Sequence, residues 1–574
     1  MADSDRNTAL EVARRLIRDK RWADALEKLD VMRSADPDNG DPDNADLWVM
    51  SGICYINLGR DEDGSDAFQQ ALANDPDHIT ANFNWAKVLT QRGALESALI
   101  HFQKVQPYVR DPLLIGMELA KVYHRLGYIS QLLRLARRLT RLAPDDPEVW
   151  MMLGLGWLGA GCSDLAIKAF QRGVELDPDS AVIRNGLALA YQSEGRVEEA
   201  LHEFQRSAHL APESVEPVVN LVSCLLGIGK KMEAESILSA LRAEHPDNGA
   251  VRRLWGFHRL VSRVDREAWL AYEARTQVVT AIGNVPVPEM SGPPWRGEDI
   301  GGRTVLVVFE QGYGDAFLFG RFLNVLKHRG ATVIISAPAD LQRLFEGQDF
   351  VDRVHVRDRD HGTYPEYDYW TLLGSLPLYL NWREGDLARD QGCLQADEAL
   401  SKHWAARFQE LHRDHPDMPR IGVVWAGYAG HFRDRYRSLA AAQFAPILSV
   451  GDVQFVSLQP GLASSLIPEH CIDLGPNLDD FATTAAIVAN LDLVVTIDSA
   501  VANLAAAMGR PAWVLLDVGA DWRWGDQPER TAWYHSARLF RQSKPWDWDG
   551  VVEQVCVALQ EWAETWRHDH GMRT

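Results

Sequence analysis

Residues 147–178 read PEVWMMLGLGWLGAGCSDLAIKAFQRGVELDP, and their spacing recurs through the first half of the chain. A small residue, Gly154, is followed three residues later by the aromatic Trp157. A second small residue, Ala166, is followed four residues later by Phe170. The prolines that end successive units lie 34 residues apart, at Pro144, Pro178, Pro212 and Pro246. A fixed period of this length indicates a repeat architecture rather than unrelated amphipathic helices.

The physical reason for the pattern is helix packing. Two antiparallel helices approach closely only where small residues meet, and large residues then fill the remaining space. Proline after the second helix stops it, and stacked units bury the apolar faces that one unit leaves exposed. The pattern resembles the tetratricopeptide repeat (TPR), with about seven units over 8–247, and one unit departs from it at Leu132 and Ala136.

The resemblance divides the first half of the chain and implies a protein partner. Residues 1–247 are predicted to form the TPR array, and residues 248–282 are predicted to form capping and connecting helices. TPR arrays present a concave surface, so we expect this one to bind an acceptor protein in its groove.

Composition narrows the class of protein. The chain has 574 residues and a formal net charge of −21, which argues against a duplex-DNA coat or a polybasic membrane binder. Its six cysteines lie far apart without a CxxC pair, which favours buried reduced thiols over a zinc ribbon or a disulfide scaffold. Neither a signal peptide nor a run of about 18 apolar residues is evident. We therefore expect a cytoplasmic protein with no membrane span and no nucleic-acid partner.

The second half is predicted to be α/β. A linker rich in proline and glycine covers 283–303, and TVLVVF follows as a buried strand. Alternating strands and helices then predict two Rossmann-like halves, an acceptor-side half over 304–415 and a nucleotide-sugar half over 416–574. Two such halves indicate the GT-B architecture, with ligands at the carboxyl ends of the strands. The predicted fold class is therefore a TPR α-solenoid followed by a GT-B catalytic region.

The first candidate site is the turn after strand 304–309. Gly312 and Gly314 allow a sharp turn and let a ligand approach backbone amides. Asp315 follows at the start of a helix, where its carboxylate is placed to take a proton from an acceptor hydroxyl. The alternative interpretation is that Asp315 only caps that helix.

The second candidate site is the loop after strand 421–427. This loop carries His431, Arg435, Arg437 and Ser438, and guanidinium groups suit phosphate oxygens. A solvated charged loop is the alternative, and binding of single-stranded nucleic acid fits the acidic chain less well.

The third candidate site opens a helix after the strand LDLVVTID. Asp498, Ser499, Ala500 and Asn503 offer a hydroxyl and free amides to a phosphate. The alternative is an ordinary capped helix. A fourth cluster, residues 521–524 with Trp533, Tyr534 and residues 538–542, is open to interpretation as an aromatic core. Residues 358–360 read DRD, which we interpret as a loop and not as a metal site.

The order of these motifs is similar to that of bacterial TPR-linked glycosyltransferases, which share their C-terminal domain with the heptosyltransferase family of GT-B enzymes. The resemblance covers about 293–565 and implies that Asp315 is the catalytic base. Relatives usually carry histidine where this chain has Asn503. The candidate set for donor and phosphate binding is Gly312, Gly314, His431, Arg435, Arg437, Ser438, Gln459, Asp498, Ser499, Ala500 and Asn503.

The resemblance implies a metal-independent glycosyltransferase without a cofactor. It would move a sugar from a nucleotide-activated donor, linked to CMP, UDP or ADP, to a Ser or Thr hydroxyl of a protein that the array recruits. Flagellin is the favoured acceptor, and the related subgroup uses a CMP-linked nonulosonic acid. Two alternatives stay open: a non-enzymatic TPR adaptor with a degenerate glycosyltransferase domain, and a lipopolysaccharide or glycan sugar transferase.

Overall fold

The computed structural model describes most of the chain, namely residues 3–34, 42–276, 290–357, 364–383, 392–411, 417–428, 433–461 and 467–570. The chain divides into two compact units, Met1–Glu194 and Gly195–Thr574. The division falls inside the predicted repeat array, after Glu194.

The described part of the first unit is entirely helical. Its helices are α1 (Asp3–Arg18), α2 (Trp22–Ser34), α3 (Pro42–Asn57), α4 (Asp61–Asn74), α5 (Ile79–Arg92), α6 (Leu95–Val105), α7 (Pro112–Arg125), α8 (Ile129–Leu142), α9 (Pro147–Gly159), α10 (Ser163–Leu176) and α11 (Ala181–Ser193). Small residues lie against large ones within a unit, as the sequence predicts. A methyl group on Gly154 would lie 2.8 Å from the ring of Phe170, and one on Gly52 would lie 2.7 Å from Phe68. The irregular unit keeps its core, since Leu132 and Ala136 are fully buried.

Six repeats turn between their two helices at a glycine with positive φ, whereas the turn between α1 and α2 has Lys20 in this conformation. This conformation is strained for residues with a side chain, so glycine is favoured there. The six glycines lie 34 residues apart, at Gly59, Gly93, Gly127, Gly161, Gly195 and Gly229. The first helix of a unit often begins at a capping side chain followed by proline, as at Asp146 and Pro147.

The second unit begins with five further helices and continues into a parallel sheet. The helices are α12 (Val197–Leu210), α13 (Val215–Gly227), α14 (Lys231–Glu244), α15 (Gly249–Ser262) and α16 (Arg266–Tyr272). The first sheet has four parallel strands, among them the predicted strand TVLVVF as β1. They are β1 (Thr304–Val308), β2 (Thr332–Ala337), β3 (Arg353–Val356) and β4 (Tyr369–Leu372), in the order β3-β2-β1-β4. The helices of this part are α17 (Tyr313–His328), α18 (Gln342–Glu346), α19 (Leu376–Tyr379) and α20 (Glu398–Leu411).

The second sheet has six parallel strands in the order β10-β9-β8-β5-β6-β7. They are β5 (Arg420–Val424), β6 (Gln454–Ser457), β7 (Ile472–Asp473), β8 (Leu493–Ile497), β9 (Ala512–Leu516) and β10 (Ala537–Arg541). The accompanying helices are α21 (Asp434–Arg437), α22 (Ala441–Leu448), α23 (Phe481–Val488), α24 (Ala500–Ala507) and α25 (Trp548–Asp569). The sequence analysis did not predict β7, which has two residues, or β10, which carries an arginine near its start and another at its end.

One continuous core joins the capping helices to both sheets. It includes residues of α15 and α16, residues of β1 with α17, and one face of the second sheet with α23 and α24. The other face of the second sheet is covered by α22 and α25. The two α/β halves therefore meet along α17 and α24.

The described part of the predicted linker, residues 290–303, contains neither a helix nor one of the named strands. It packs against the first sheet, because Trp295 is fully buried and its backbone N–H donates to the carbonyl of Trp370 at 2.7 Å. The cysteines are not all buried, because Cys162 is exposed. Among the described residues, no helix has both the length and the apolar character needed to cross a bilayer.

Candidate functional site

Asp315 lies at the carboxyl end of β1. The chain leaves this strand at Val308, turns, and enters α17 with Gly312 as its N-cap. Asp315 is in the first turn of α17, where the helix dipole favours a negative charge. Its side chain is only 15% exposed. The predicted base therefore stands nearly buried at the end of a parallel strand.

Arg523 approaches Asp315 from the second sheet. It belongs to a short turn, Trp522–Trp524, that follows β9. Its Nη2 donates to Oδ1 of Asp315 at 2.8 Å, and its Nε donates to Oδ1 of Asp521 at 2.9 Å. Charge-assisted bonds of this kind are short and strong. The carboxyl ends of β1 and β9 are thus linked by one guanidinium group.

Two carboxyl groups near this guanidinium group, those of Asp315 and Asp498, have raised pKa values. Burial raises the pKa of Asp315, Arg523 opposes that shift, and the charges on Asp521 and Glu310 add to it. Burial also raises the pKa of Asp498, and Asp521 adds to that effect. Perturbed carboxyl groups that cluster in this way are common at sites of proton transfer.

Gly314 allows α17 to lie close to the second half. A methyl group on Gly314 would lie 2.8 Å from Nη1 of Arg523 and 3.2 Å from Nδ2 of Asn503. Both approaches are closer than an ordinary side-chain contact. The glycine predicted to admit a ligand therefore already admits two side chains of this protein.

The loop after β5 folds back on itself. The backbone N–H of Gly427 donates to Oγ of Ser438 at 2.8 Å, and that hydroxyl donates to Asp434 at 2.8 Å. A methyl group on Gly427 would lie 2.6 Å from Asp434 and 2.8 Å from Nη2 of Arg437. The hydroxyl of Ser438 thus shapes the loop that carries Arg437.

Arg437 connects this loop to the loop after β8. Its Nη1 donates to the backbone carbonyl of Asp498 at 3.1 Å. Ser499 is the N-cap of α24, and its Oγ accepts from the N–H of Ala502 at 3.1 Å. Ala500 is the first residue of that helix. The structure therefore brings the second and third candidate sites together, at the carboxyl ends of adjacent strands.

Gln459 and Asn503 both make internal hydrogen bonds. Oε1 of Gln459 accepts from the N–H of Ala426 at 3.0 Å and braces the end of β5. Asn503 is 1% exposed; its Nδ2 donates to the carbonyl of Ser499 at 2.9 Å, and its Oδ1 accepts from the hydroxyl of Tyr534 at 3.1 Å. These side chains support the site's backbone.

Arg435 has a different neighbour from Arg437. It is exposed, and a methyl group on Gly195 would lie 3.7 Å from its Nε. Arg435 therefore lies beside a repeat turn, on another side of α21 from Arg437. His431 lies outside the described residues, and so do residues 358–360.

A neighbouring ion pair was not predicted. Arg433 pairs with Asp517 in the loop after β9. In the same loop, the backbone of Gly519 lies against the end of α13, where a methyl group on Gly519 would lie 2.5 Å from the carbonyl oxygen of Gly227. The last repeats are thus in contact with a loop that borders the candidate site.

The capping segment also contacts the site. Nη2 of Arg275 donates to Oε1 of Glu310 at 2.8 Å and to the hydroxyl of Ser375 at 2.9 Å. The amide of Gln311 donates to the hydroxyl of Tyr272 at 2.7 Å. The chain segment that ends the repeat array therefore holds the turn that leads to Asp315.

Sequence reasoning grouped Arg523 with an aromatic cluster and did not select it. That interpretation holds for its neighbour, because Trp522 packs edge-on against Trp269 at a ring separation of 5.9 Å and also contacts Tyr272 and Trp533. The sequence carries one signal that points to Arg523, which is its position between two tryptophans, Trp522 and Trp524.

Comparisons with known proteins identify the repeats. Tetratricopeptide repeat models match residues 55–112, 128–181, 158–215 and 192–254. The helical region is thus a TPR array. The chain is also 27% identical to Protein FlbA of Caulobacter vibrioides over 335 residues, which is 52% of each protein. It therefore spans about half the length of this relative.

Solved structures that resemble the chain include other TPR proteins. One, from Parabacteroides merdae, is 17% identical, with 40% of this chain and 91% of that chain covered and a TM-score of 0.36. A thermophilic TPR protein of Thermus thermophilus is 25% identical, with 32% and 99% covered and a TM-score of 0.28. YrrB, described as a TPR protein with an unusual peptide-binding site, is 18% identical, with 32% and 94% covered and a TM-score of 0.27.

Proposed function

We propose that this chain is a GT-B glycosyltransferase that moves a sugar from a nucleotide-activated donor to a protein hydroxyl. The observation that carries the proposal is the meeting of Asp315 with Arg523 where strands of two parallel sheets end. Ligands of open parallel sheets bind at this edge. The motif order that resembles heptosyltransferase-family enzymes supports the same reaction.

In the proposed reaction, Asp315 takes the proton of the acceptor hydroxyl. The hydroxyl oxygen attacks the anomeric carbon of the donor sugar, and the bond from that carbon to the phosphate oxygen breaks. The electron pair leaves with the nucleotide phosphate. Arg437 and the free amides at the start of α24 stabilise the negative charge that develops there.

The TPR array recruits the acceptor in this proposal. TPR repeats bind protein partners, and the array is joined to the site through its capping segment. The resemblance to flagellin glycosyltransferases makes flagellin, modified on serine or threonine, the first acceptor to test. A CMP-linked nonulosonic acid is the first donor to test.

A second function is a TPR adaptor without catalysis. Internal hydrogen bonds of Ser438, Gln459 and Asn503 favour it, since these side chains serve the fold whether or not a donor binds. The proposed enzyme differs from the adaptor in one testable respect, which is specific binding of a nucleotide.

The test measures thermal stabilisation of the full chain by UDP, ADP, GDP and CMP. A bound nucleotide at one hundred times its dissociation constant stabilises a protein by about 2.7 kcal/mol. We expect one nucleotide to raise Tm, and Arg437→Ala to abolish the effect. Asp315→Asn should keep nucleotide binding and lose sugar transfer. If none of the four nucleotides changes Tm, the adaptor replaces the enzyme as the preferred function.

A further inference from the structure

Arg523 has one guanidinium arm that the fold does not use. Nη2 is bonded to Asp315 and Nε to Asp521. Among the described residues, Nη1 has no hydrogen-bond partner, although the side chain is only 10% exposed. Nη1 is not one of the fully buried unpaired atoms of the described residues, so it is the arm of this cation that solvent or a ligand reaches.

The free Nη1 of Arg523 lies close to another N–H donor, the side-chain amide of Asn503. Nη1 of Arg523 and Nδ2 of Asn503 both lie within 3.2 Å of one point, the position of a methyl group on Gly314. The absence of a side chain at Gly314 lets both donors pack against the first turn of α17. Two N–H donors near the starts of α17 and α24 form a suitable environment for an oxygen anion.

Packing of the neighbouring Trp522 and a hydrogen bond to the backbone fix the position of Arg523. Trp522 packs against Trp269 and Tyr272 of the capping helix, with ring separations of 5.9 Å in both cases. The hydroxyl of Thr531 donates to the backbone carbonyl of Arg523 at 2.6 Å. The guanidinium group is therefore held in place before any ligand arrives, which is the property that electrostatic stabilisation requires.

We propose that Arg523 is shared between the base and the leaving group: it positions Asp315 through Nη2 and donates Nη1 to the phosphate of the bound donor. This inference rests on the proposed function. As the bond from the sugar to the phosphate breaks, the electron pair goes to a phosphate oxygen next to Nη1. The acceptor proton goes to Asp315 on the other arm. One cation then stabilises both ends of the transfer.

The ion pair with Arg523 also affects whether Asp315 is protonated. Among the described residues, this carboxyl is faced by titratable groups from several segments: Arg523 and Asp521 from the loop after β9, Glu310 from the turn before α17, Tyr272 from the capping segment, and Tyr534. Arg523 is the one cation among them, so its loss raises the pKa of Asp315 further. A base with a higher pKa is protonated at pH values where the wild type is active. Loss of Arg523 therefore shifts the acid limb of the pH–rate profile to higher pH. Loss of a residue that only supported the fold would not shift that limb.

The experiment compares Arg523→Gln and Arg523→Lys with wild type. Arg538→Gln is the matched control, because Arg538 lies on β10, is 44% exposed and pairs with Glu529 at 3.5 Å. Binding of inorganic pyrophosphate and of UDP, ADP, GDP and CMP is measured by calorimetry. The pH dependence of nucleotide release from the donor is measured with the nucleotide sugar whose base binds best.

We expect Arg523→Gln to weaken nucleotide binding at least tenfold and to move the acid limb of the pH profile upward by at least one unit. Arg523→Lys should fold and keep part of the nucleotide binding, because lysine keeps the positive charge. It should shift the acid limb less than Arg523→Gln does, although lysine lacks the planar guanidinium group that bonds two partners at once. The Arg538→Gln protein should behave as wild type.

The outcomes separate this inference from the proposed function. If wild type binds a nucleotide and Arg523→Gln binds it equally well, the shared role is overturned and the proposed function stands. An unchanged acid limb in both Arg523 variants overturns the positioning role. If wild type binds none of the five probes, the proposed function is overturned, and the leaving-group role of Arg523 with it.

Discussion

Arg275, at the end of the capping segment, forms an ion pair with Glu310, in the turn between β1 and α17, and both side chains are almost completely buried, at 2% and 1% exposed. A buried pair need not stabilise a fold relative to apolar residues, but removal of one partner leaves an uncompensated charge. This pair links the helical part of the second unit to the turn that precedes Asp315.

We therefore expect Arg275→Met and Glu310→Gln each to lower the free energy of unfolding by about 3–5 kcal/mol. The double variant should lose clearly less than the sum, because neither charge of this pair is left without its partner. Glu273, which also pairs with Arg275, is 22% exposed and is therefore better solvated than Glu310. Chemical denaturation of the four proteins measures the coupling. Additive losses would show that the two residues do not stabilise each other.

Gly314 offers a second prediction about the site. Gly314→Ala places a methyl group 2.8 Å from Nη1 of Arg523, so the guanidinium group must shift. Overpacking of this kind costs about 1–3 kcal/mol, partly offset by the higher helix propensity of alanine. Nucleotide binding should weaken more than stability does. The control is Gly301→Ala in the turn before β1, where the nearest atom, Oδ1 of Asp299, also lies 3.6 Å away. Equal effects of the two variants would contradict this account.

Gly519 tests the contact between the last repeats and the loop after β9. Gly519→Ala would bring a methyl group within 2.5 Å of the carbonyl oxygen of Gly227, and backbone atoms cannot move aside cheaply. We expect a loss of about 1–3 kcal/mol. Gly451→Ala, a loop substitution with open space around it, should stay within about 0.5 kcal/mol of wild type. Urea denaturation of both variants measures the difference, and equal stabilities would argue against the contact.

In the repeats, the small and large positions should be energetically coupled. Gly154→Ala places a methyl group 2.8 Å from the ring of Phe170 and should destabilise by about 1–3 kcal/mol. Phe170→Leu removes that ring, so Gly154→Ala should cost much less in its background. A double-mutant cycle measures the difference. A cost that is the same in both backgrounds would argue against direct contact.

The pH dependence of stability follows from the raised pKa of Asp315. The folded protein holds this proton more tightly than the unfolded chain, so the carboxyl contributes stability at low pH. That contribution is lost as pH rises from about 4 through the folded-state pKa. Because Arg523→Gln raises the pKa further, its deficit relative to wild type should grow above pH 4 and shrink below it. Thermal melts from pH 4 to pH 8 test the sign, and a deficit that grows toward acid would be evidence against it.

The amino-acid sequence was sufficient to predict the repeats and the two parallel sheets. A 34-residue period fixes which residues face each other within a unit, as Gly154 and Phe170 show. Alternating strands and helices predicted two parallel α/β halves, and both sheets are parallel. Loops after strands gather at the carboxyl edge of a parallel sheet, which is why the loops that carry Arg437 and Asp498 are neighbours.

Only the folded chain shows which charged side chains form ion pairs. Arg523 and Asp315 are 208 residues apart, and no local pattern relates them. Arg275 was interpreted as part of a capping helix, and its pairing with Glu310 depends on how that segment packs against the first sheet. Local periodicity reports the face that a residue presents, because it reflects the geometry of one helix or strand. A long-range ion pair depends on the packing of several elements, so only their tertiary arrangement defines it.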